Sequence, residues 1–386
     1  MTDRAVVVTG LGVVVSAGIG LDDLWSAVVE PVDGPTHALL GAVAPPDDVT
    51  DHDAARMDVF SLYALRAADE ALATAGHPDL DPRRTGVVLG NVYGALPTVV
   101  ETVLRHHDLG DPAVKGPYGV ATIENAPTSL LAVRHGLRGP TKAVVGACAG
   151  GAYAIADAAD LIRRGTCDAV LTGGTQAPLT AHMEASYRAL RVLSPSGRVR
   201  PFDRRRDGFV FADGAAVLLL EAEETAAARG APVWGRVLGA ANTNDGAGMA
   251  SQTGQGAVEC ILDAIADAGL TPADIVHVNA HGTGTTMNDR IESRALAEVF
   301  GPDGPPVTST KGVTGHTFAT AGALEAVIAL LSMRHGLIPP VAADFDADPD
   351  VALDVVHGQA RPWSPGPVLS NSFGLGGTNG CLVLAP

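Results

Sequence analysis

Two segments half a chain apart carry the same succession of local signals, and that repetition restricts the fold more than any single motif. Residues 62–92 run through an amphipathic helix, a glycine stop at Gly76, a Pro/Asp-rich loop and an apolar strand. Residues 256–283 repeat the succession. Val258, Ile261, Leu262 and Ile265 form one helical stripe, Gly269 ends the helix, and Ile275–Asn279 reads as a strand. The two glycines lie 193 residues apart in a chain of 386, which points to an internal duplication. A second pair agrees with it. Strand Ala143–Val145, a tight turn, a helix over 148–164 and strand Ala169–Leu171 are matched by strand Val307–Thr310, a Gly-rich loop and a helix over 322–333. Both helices, AGGAYAIADAADLI and GALEAVIALLSM, are apolar nearly all round, so each should be buried on every side.

Helices of that kind fit an α layer held between two sheets. The expected architecture is therefore α/β, a duplicated five-layer αβαβα arrangement with two buried central helices. Its halves are residues 1–233 and 234–386. Val6–Val8 and Val13–Val15 read as two strands about a glycine turn, and 30–56 and 106–122 as surface loops. Composition supports a packed core, with 46% hydrophobic and 18% charged residues. The net charge of −17 and the lack of a basic stripe argue against nucleic acid as the partner. The four cysteines form no CxxC pair and no disulfide framework, which fits a reducing cytoplasm. Residues 5–21 are uncharged, but Asp3 and the glycines at 10, 12, 18 and 20 argue against a signal peptide. No other stretch is long enough to span a membrane.

Cys148 stands out chemically. It sits in Gly146-Ala-Cys-Ala-Gly-Gly151 between a strand and a buried helix, where small neighbours permit a sharp turn. At a helix N-terminus the free backbone N–H groups favour thiolate over thiol. Cys167, Cys260 and Cys381 read as small buried hydrophobes. His281 follows the strand Ile275–Asn279 in Asn279-Ala-His-Gly-Thr-Gly-Thr285. It is either an active-site group at a strand end or a loop histidine bonded to backbone. Asn288-Asp289 can cap the helix that follows. Lys311 and His316 lie in Ser309-Thr-Lys-Gly-Val-Thr-Gly-His316. Lys311 is either solvated or the partner of Glu325, a carboxylate on an otherwise apolar helix that requires pairing or a function. Gly374, Gly376 and Gly377 close either an ordinary turn or a backbone site that approaches a ligand. Gly10-Leu-Gly12 lacks the third glycine of a dinucleotide site, and His277 and His281, about 13 Å apart along a strand, cannot share a metal. A thiol with two imidazoles suits thioester chemistry, in which cysteine accepts an acyl group and neutral histidine donates to an enolate oxygen.

The ordered set of motifs resembles the β-ketoacyl-ACP synthases of the thiolase-fold superfamily, the elongating type shared by fatty-acid and polyketide pathways. The set is Val6–Gly12, Arg134–Pro140, the Cys148 elbow, Arg200–Asp203 with Arg206–Val210, Ala280–Thr285 with Asn288-Asp289, Ser309–His316 with Glu325, and Asn371–Asn379. The resemblance implies a thiolase-like fold in which Cys148 carries the acyl chain and His281 and His316 serve decarboxylation of a malonyl thioester. Lys311 and Glu325 would hold that site. The backbone N–H groups of Cys148 and Leu375 would form the oxyanion hole, and Thr283 and Thr285 would hold the phosphopantetheine arm. Tyr187 stands where the family has an aromatic lining the acyl pocket, usually Phe. Gly146 replaces a Thr, Leu375 replaces the Phe of a G-F-G-G turn, and the chain is short around 30–56 and 106–122.

The resemblance further implies an acyl carrier protein as partner, with the phosphopantetheine arm carried by that substrate and no cofactor or metal of the enzyme's own. It also implies a dimer, either with a second copy or with a chain-length-factor subunit. The alternatives are a relative that transfers acyl groups without extension and a non-catalytic partner subunit. Arg163-Arg164 and Arg204-Arg205-Arg206 are either a docking patch for the carrier or partners of nearby carboxylates.

Overall fold

The computed structural model describes residues 4–386 except 37, 38, 42, 47, 55 and 249–252. The first half contributes strands β1 (Val6–Val15), β2 (Thr85–Gly90), β3 (Thr141–Val144), β4 (Ala169–Gln176) and β5 (Gly214–Ala222). The second contributes β6 (Gly235–Asn244), β7 (His277–Asn279), β8 (Val307–Thr308), β9 (Val368–Gly374) and β10 (Thr378–Ala385). They run in the order β3-β2-β4-β5-β1-β6-β10-β9-β7-β8. The same five-strand order therefore occurs twice. In each half, two parallel pairings are followed by two antiparallel ones. The halves join where β1 meets β6 antiparallel, with Val7 opposite Arg236 and Val8 opposite Gly235.

Side-chain alternation along the strands makes the layers. On β5, Ala216, Leu218, Leu220 and Ala222 face the central core while Ala215, Val217 and Leu219 face an outer one. On β10, Leu382 and Leu384 face the centre and Cys381 and Val383 face the opposite outer core. The outer layers are filled by helix α1 (Val59–Thr74) on the first half and by α3 (Gln255–Asp267) with α4 (Thr286–Phe300) on the second. Between the two halves of the sheet lie α2 (Gly150–Arg163) and α5 (Ala321–His335), packed on each other. The fold is the expected duplicated thiolase-like α/β arrangement. Every α5 residue from Ala321 to Met333 is buried. Helix α2 is less enclosed than expected, because Asp157 and Asp160 keep more than two fifths of their side chains exposed along one side.

Several local expectations change. Val6–Val15 is one continuous strand with a bulge between Val8 and Gly10, rather than two strands about a turn. The glycines are there for packing. A Cβ on Gly10 would lie 2.0 Å from the Ala71 carbonyl oxygen, and one on Gly12 2.0 Å from that of Ala67. Both carbonyls belong to α1, which packs directly on the strand. The segment 106–122 is a surface loop only in part, since it includes the end of helix Leu96–Leu109, the turn Asp111–Ala113 and the short helix Tyr118–Ala121. Part of 30–56 lies outside the described residues, and the rest is irregular apart from the short helix Asp51–Ala54. Strands β7 and β8 are shorter than expected: β7 starts only at His277, after the turn Pro272–Asp274, and β8 ends at Thr308, where the chain turns early into the loop that carries Lys311. Among the described residues no helix is long and apolar enough to cross a membrane. All four cysteines are buried and unpaired.

Candidate active site

The chain leaves β3 at Val144 and enters α2 at Gly150 with only five residues between. Ala147 takes a positive φ of 47° to make that turn, a conformation costing about 1–2 kcal/mol for a residue with a Cβ. The turn presents Cys148, whose Sγ faces the backbone N–H groups of Leu375 and of Cys148 itself. Gly146 also has a local cause. A Cβ there would lie 2.6 Å from Cδ2 of Tyr153, whose hydroxyl donates to the Asn379 carbonyl. The ring occupies the space a larger side chain would need.

Cys148 does not rest as the expected thiolate. Burial pushes the thiol up to about 12, outweighing the opposite pull of Lys311 and the two N–H groups. A buried thiol attacks only if a base takes its proton, and His316 Nε2 stands 3.2 Å from Sγ. Burial, and then the Lys311 charge, holds the His316 imidazole well below its usual value, so it is neutral at pH 7. Its ring stacks on Phe318 at 4.9 Å and meets the edge of Phe209 at 5.1 Å. Phe318 adopts a positive φ of 49°, strained for an aromatic residue, and covers the imidazole.

His281 follows β7, and two buried carboxylates from α4 shape its loop. Glu292 accepts from the backbone N–H groups of His281 and Gly282 at 2.8 Å each, and from Asn371. Asp289 accepts from Phe202 and Gly284 backbone N–H groups. The cap of α4 is Thr285, whose hydroxyl accepts from Asn288 N–H, rather than Asn288-Asp289. Lys311 Nζ donates to the His281 carbonyl at 2.5 Å, stands 3.3 Å from His281 Nδ1, and pairs with Glu325. An ammonium can only donate, so Nδ1 accepts and the His281 proton sits on Nε2. Burial, Lys311 and His316 keep His281 neutral. Burial raises the Glu325 carboxyl to about 7 against the pull of Lys311.

Cys148, Tyr187, His281, Thr283, Thr285, His316 and Leu375 line one pocket, with Lys311 and Glu325 buried behind it. The Thr283 and Thr285 hydroxyls are 2.9 Å apart on its rim. Cys148 Sγ and one nitrogen of each histidine lie within 4.8 Å of one another, the spacing of a metal site. The Lys311 ammonium, 3.3 Å from His281 Nδ1, opposes a second cation there. The arrangement suits acyl transfer: a nucleophile, a neutral base and N–H donors aimed where an oxyanion would form.

Glu292 and Phe318 were not singled out by sequence reasoning, and Asp289 was read only as a helix cap and as part of a motif. Asp289 and Glu292 share the helical stripe of buried Leu296, and carboxylates on an apolar stripe were the available signal. The arginine clusters are engaged with carboxylates. Arg204 pairs with Asp346, Arg205 with Asp203 and Asp344, and Arg206 with Asp348. Arg163 pairs with Asp267 and Arg164 with Asp160.

Comparison with known proteins gives a consistent picture. Residues 44–226 match the family model of the β-ketoacyl synthase N-terminal domain, and residues 234–343 that of its C-terminal domain. A 3-oxoacyl-[acyl-carrier-protein] synthase 2 of Rhizobium meliloti is 34% identical, covering 99% of this chain and 98% of the relative. The solved ishigamide ketosynthase/chain length factor superposes with a TM-score of 0.93 at 30% identity, over 99% of each chain. A type II PKS ketosynthase, AntDE, solved with its acyl-carrier protein AntF and bound to the hexaketide, gives 0.91 at 27% identity, also over 99% of each.

Proposed function

This chain belongs to the β-ketoacyl synthase family, and we propose that it acts as a condensing acyltransferase on carrier-protein thioesters, with Cys148 as the acyl carrier. The observation that carries the assignment is the Cys148 thiol, 3.2 Å from a neutral imidazole and facing two backbone N–H donors.

In the first half-reaction Sγ attacks the acyl thioester carbonyl while His316 Nε2 takes the thiol proton. The oxyanion forms against the N–H groups of Cys148 and Leu375. The carrier thiolate then leaves and takes that proton, so acyl-Cys148 remains. In the second, malonyl thioester binds and its C–CO2 bond breaks. The electron pair moves into an enolate whose oxygen accepts from Nε2–H of His281 and His316. The enolate carbon attacks acyl-Cys148, a C–C bond forms, Sγ departs, and a solvent proton restores the thiol. The two histidines are not equivalent. Lys311 confines the His281 proton to Nε2. His316 Nδ1 has no hydrogen-bond partner among the described residues. Its proton can therefore sit on either nitrogen, which lets it act as base first and donor second.

Thr283 and Thr285 at the pocket rim would receive the phosphopantetheine arm, which travels with the carrier, so the enzyme needs no cofactor of its own. A second ketosynthase-like chain, identical or of the chain-length-factor kind, would cover the free edge of β3. Val145, which directly follows that strand, is 56% exposed, and a bare sheet edge invites pairing. We place the enzyme in a type II polyketide or specialised fatty-acid pathway of the cytoplasm. Incubation with acyl- and malonyl-carrier proteins, followed by intact-mass analysis, should show an acyl adduct on Cys148 and then a β-ketoacyl carrier. Product without any adduct would reject the assignment.

A further inference from the structure

Beside Cys148 the pocket wall is aromatic. Tyr187, Phe209 and Phe318 line it, with ring centroids 5.3 to 6.1 Å apart. Tyr93 does not line the pocket. It stands behind, its ring 6.1 Å from Phe318, and its hydroxyl bonds to that of Tyr187. Both phenols lie close enough to feel the Cys148 sulfur, and burial keeps both protonated. The Tyr93–Tyr187 bond ties the chain after β2 to the helix Ala181–Ala189. A long alkyl chain growing from Cys148 would have to part these rings and break that bond.

The hydroxyls also have a proton to spare. Two phenols hold two donor protons, and their mutual bond uses one. Neither hydroxyl has a further acceptor among the described residues. With Tyr93 as the donor of the mutual bond, the spare proton is that of Tyr187, which is buried and lines the pocket. An all-carbon acyl group would leave it facing apolar atoms, at a cost of about 1–3 kcal/mol, whereas an oxygen on the acyl chain would accept it.

We propose that the Tyr93–Tyr187 hydroxyl pair closes the acyl chamber behind Cys148 and selects short acyl groups that carry a hydrogen-bond acceptor, the β-oxoacyl class. This rests on Cys148 as the acylated residue. Tyr93 acts as a specificity residue and takes no part in bond making.

The test is the initial rate of Cys148 acylation, read by intact mass, from acetyl-, butyryl-, acetoacetyl- and octanoyl-carrier protein. Wild type should favour acetoacetyl over butyryl by about tenfold, the scale of one neutral hydrogen bond, and should take octanoyl most slowly. The double variant Tyr93→Phe/Tyr187→Phe keeps the rings and should erase the acetoacetyl preference. Tyr93→Ala should raise octanoyl relative to butyryl by about tenfold or more. Thermal melting identifies folded variants, and the conservative double variant keeps the test sound if Tyr93→Ala does not fold. The same acetoacetyl-to-butyryl ratio in wild type and double variant would overturn the proposal, as would octanoyl loading at the acetyl rate in wild type. If no acyl group loads wild-type Cys148, the nucleophile assignment fails first and this proposal falls with it.

Discussion

The two halves share a strand order, yet the equivalent connections do different chemistry. In the first half, β3 reaches α2 through residues 145–149; in the second, β8 reaches α5 through residues 309–320. The short connection is a strained elbow that can offer one atom, the sulfur of Cys148. The long one has room for the turn Lys311–Thr314 and for Phe318–Thr320, and it lays His316 beside that sulfur and Lys311 behind it, against His281. The central helices diverge to match. Helix α5 buries Glu325 to balance Lys311, whereas the acids of α2 face outward at Asp157 and Asp160. On the proposed mechanism, a duplicated scaffold thus gives one copy the nucleophile and the other the groups that manage protons and charge. That mechanism makes catalysis depend on the contact between them.

The sharpest way to break this division is Cys148→Ala. Acyl loading and condensation should vanish, because no other side chain at the elbow can form the thioester. Decarboxylation of malonyl-carrier protein, which draws on the second half alone, should persist as measurable CO2 release. A mutant that still made β-ketoacyl product would dissolve the comparison.

Next in size is the contrast between the helices. Glu325→Ala strands a buried ammonium and should destabilise the fold by about 3–5 kcal/mol. Asp160→Ala, which removes a half-exposed pair with Arg164, should cost about 0–1 kcal/mol. Urea unfolding of both variants measures the difference, and equal midpoints would mean that the charge on α5 is not sequestered.

His281→Ala and His316→Ala should each slow decarboxylation by about 10²–10³, the usual loss for one oxyanion donor. Acylation separates them. Only His316→Ala should also slow transfer from acyl-carrier protein to Cys148, because only His316 touches Sγ. Single-turnover acylation slowed equally in both would remove the distinct base role.

The smallest effect is on pH. Both imidazoles are buried and held well below their usual value, so the folded state resists protonation while the unfolded chain takes up protons below about pH 6.5. Their stabilising contribution is therefore complete above that pH and is lost as pH falls, by at most about 1.4 kcal/mol per histidine per pH unit. Urea midpoints at pH 7.5 and 5.5 should differ more in wild type than in His316→Gln. An identical drop in both would show that His316 is protonated as easily folded as unfolded.

Much of this was legible along the chain. The repeated helix–glycine–strand unit announced the duplication, because amphipathic spacing and a helix stop are local properties. The apolar helix carrying one carboxylate announced Glu325, and Cys148 was visible because strand, small residues and helix follow each other without interruption. Tyr93 was invisible, being an ordinary aromatic on a loop 94 residues from the hydroxyl it meets. The glycines of β1 misled, since they signal turns in sequence but here admit the backbone of α1. The arginine clusters left two readings open, because the carboxylates that engage Arg204, Arg205 and Arg206 come mostly from residues 344–348, far along the chain.

By itself the sequence determined the layers, the two central helices and which side chains had chemistry to offer, because these follow from periodicity, residue size and the cost of burying charge. Tertiary structure decided the protonation states. Cys148 at a helix start read as a thiolate, yet enclosure in an aromatic pocket makes it a thiol that needs His316. Lys311, set between His281 and Glu325, decides which nitrogen of His281 holds the proton. A pKa and a tautomer depend on the solvent removed and on the charges brought near, and those come from residues as far apart in the chain as Tyr187 and Glu325, 39 and 177 residues from Cys148.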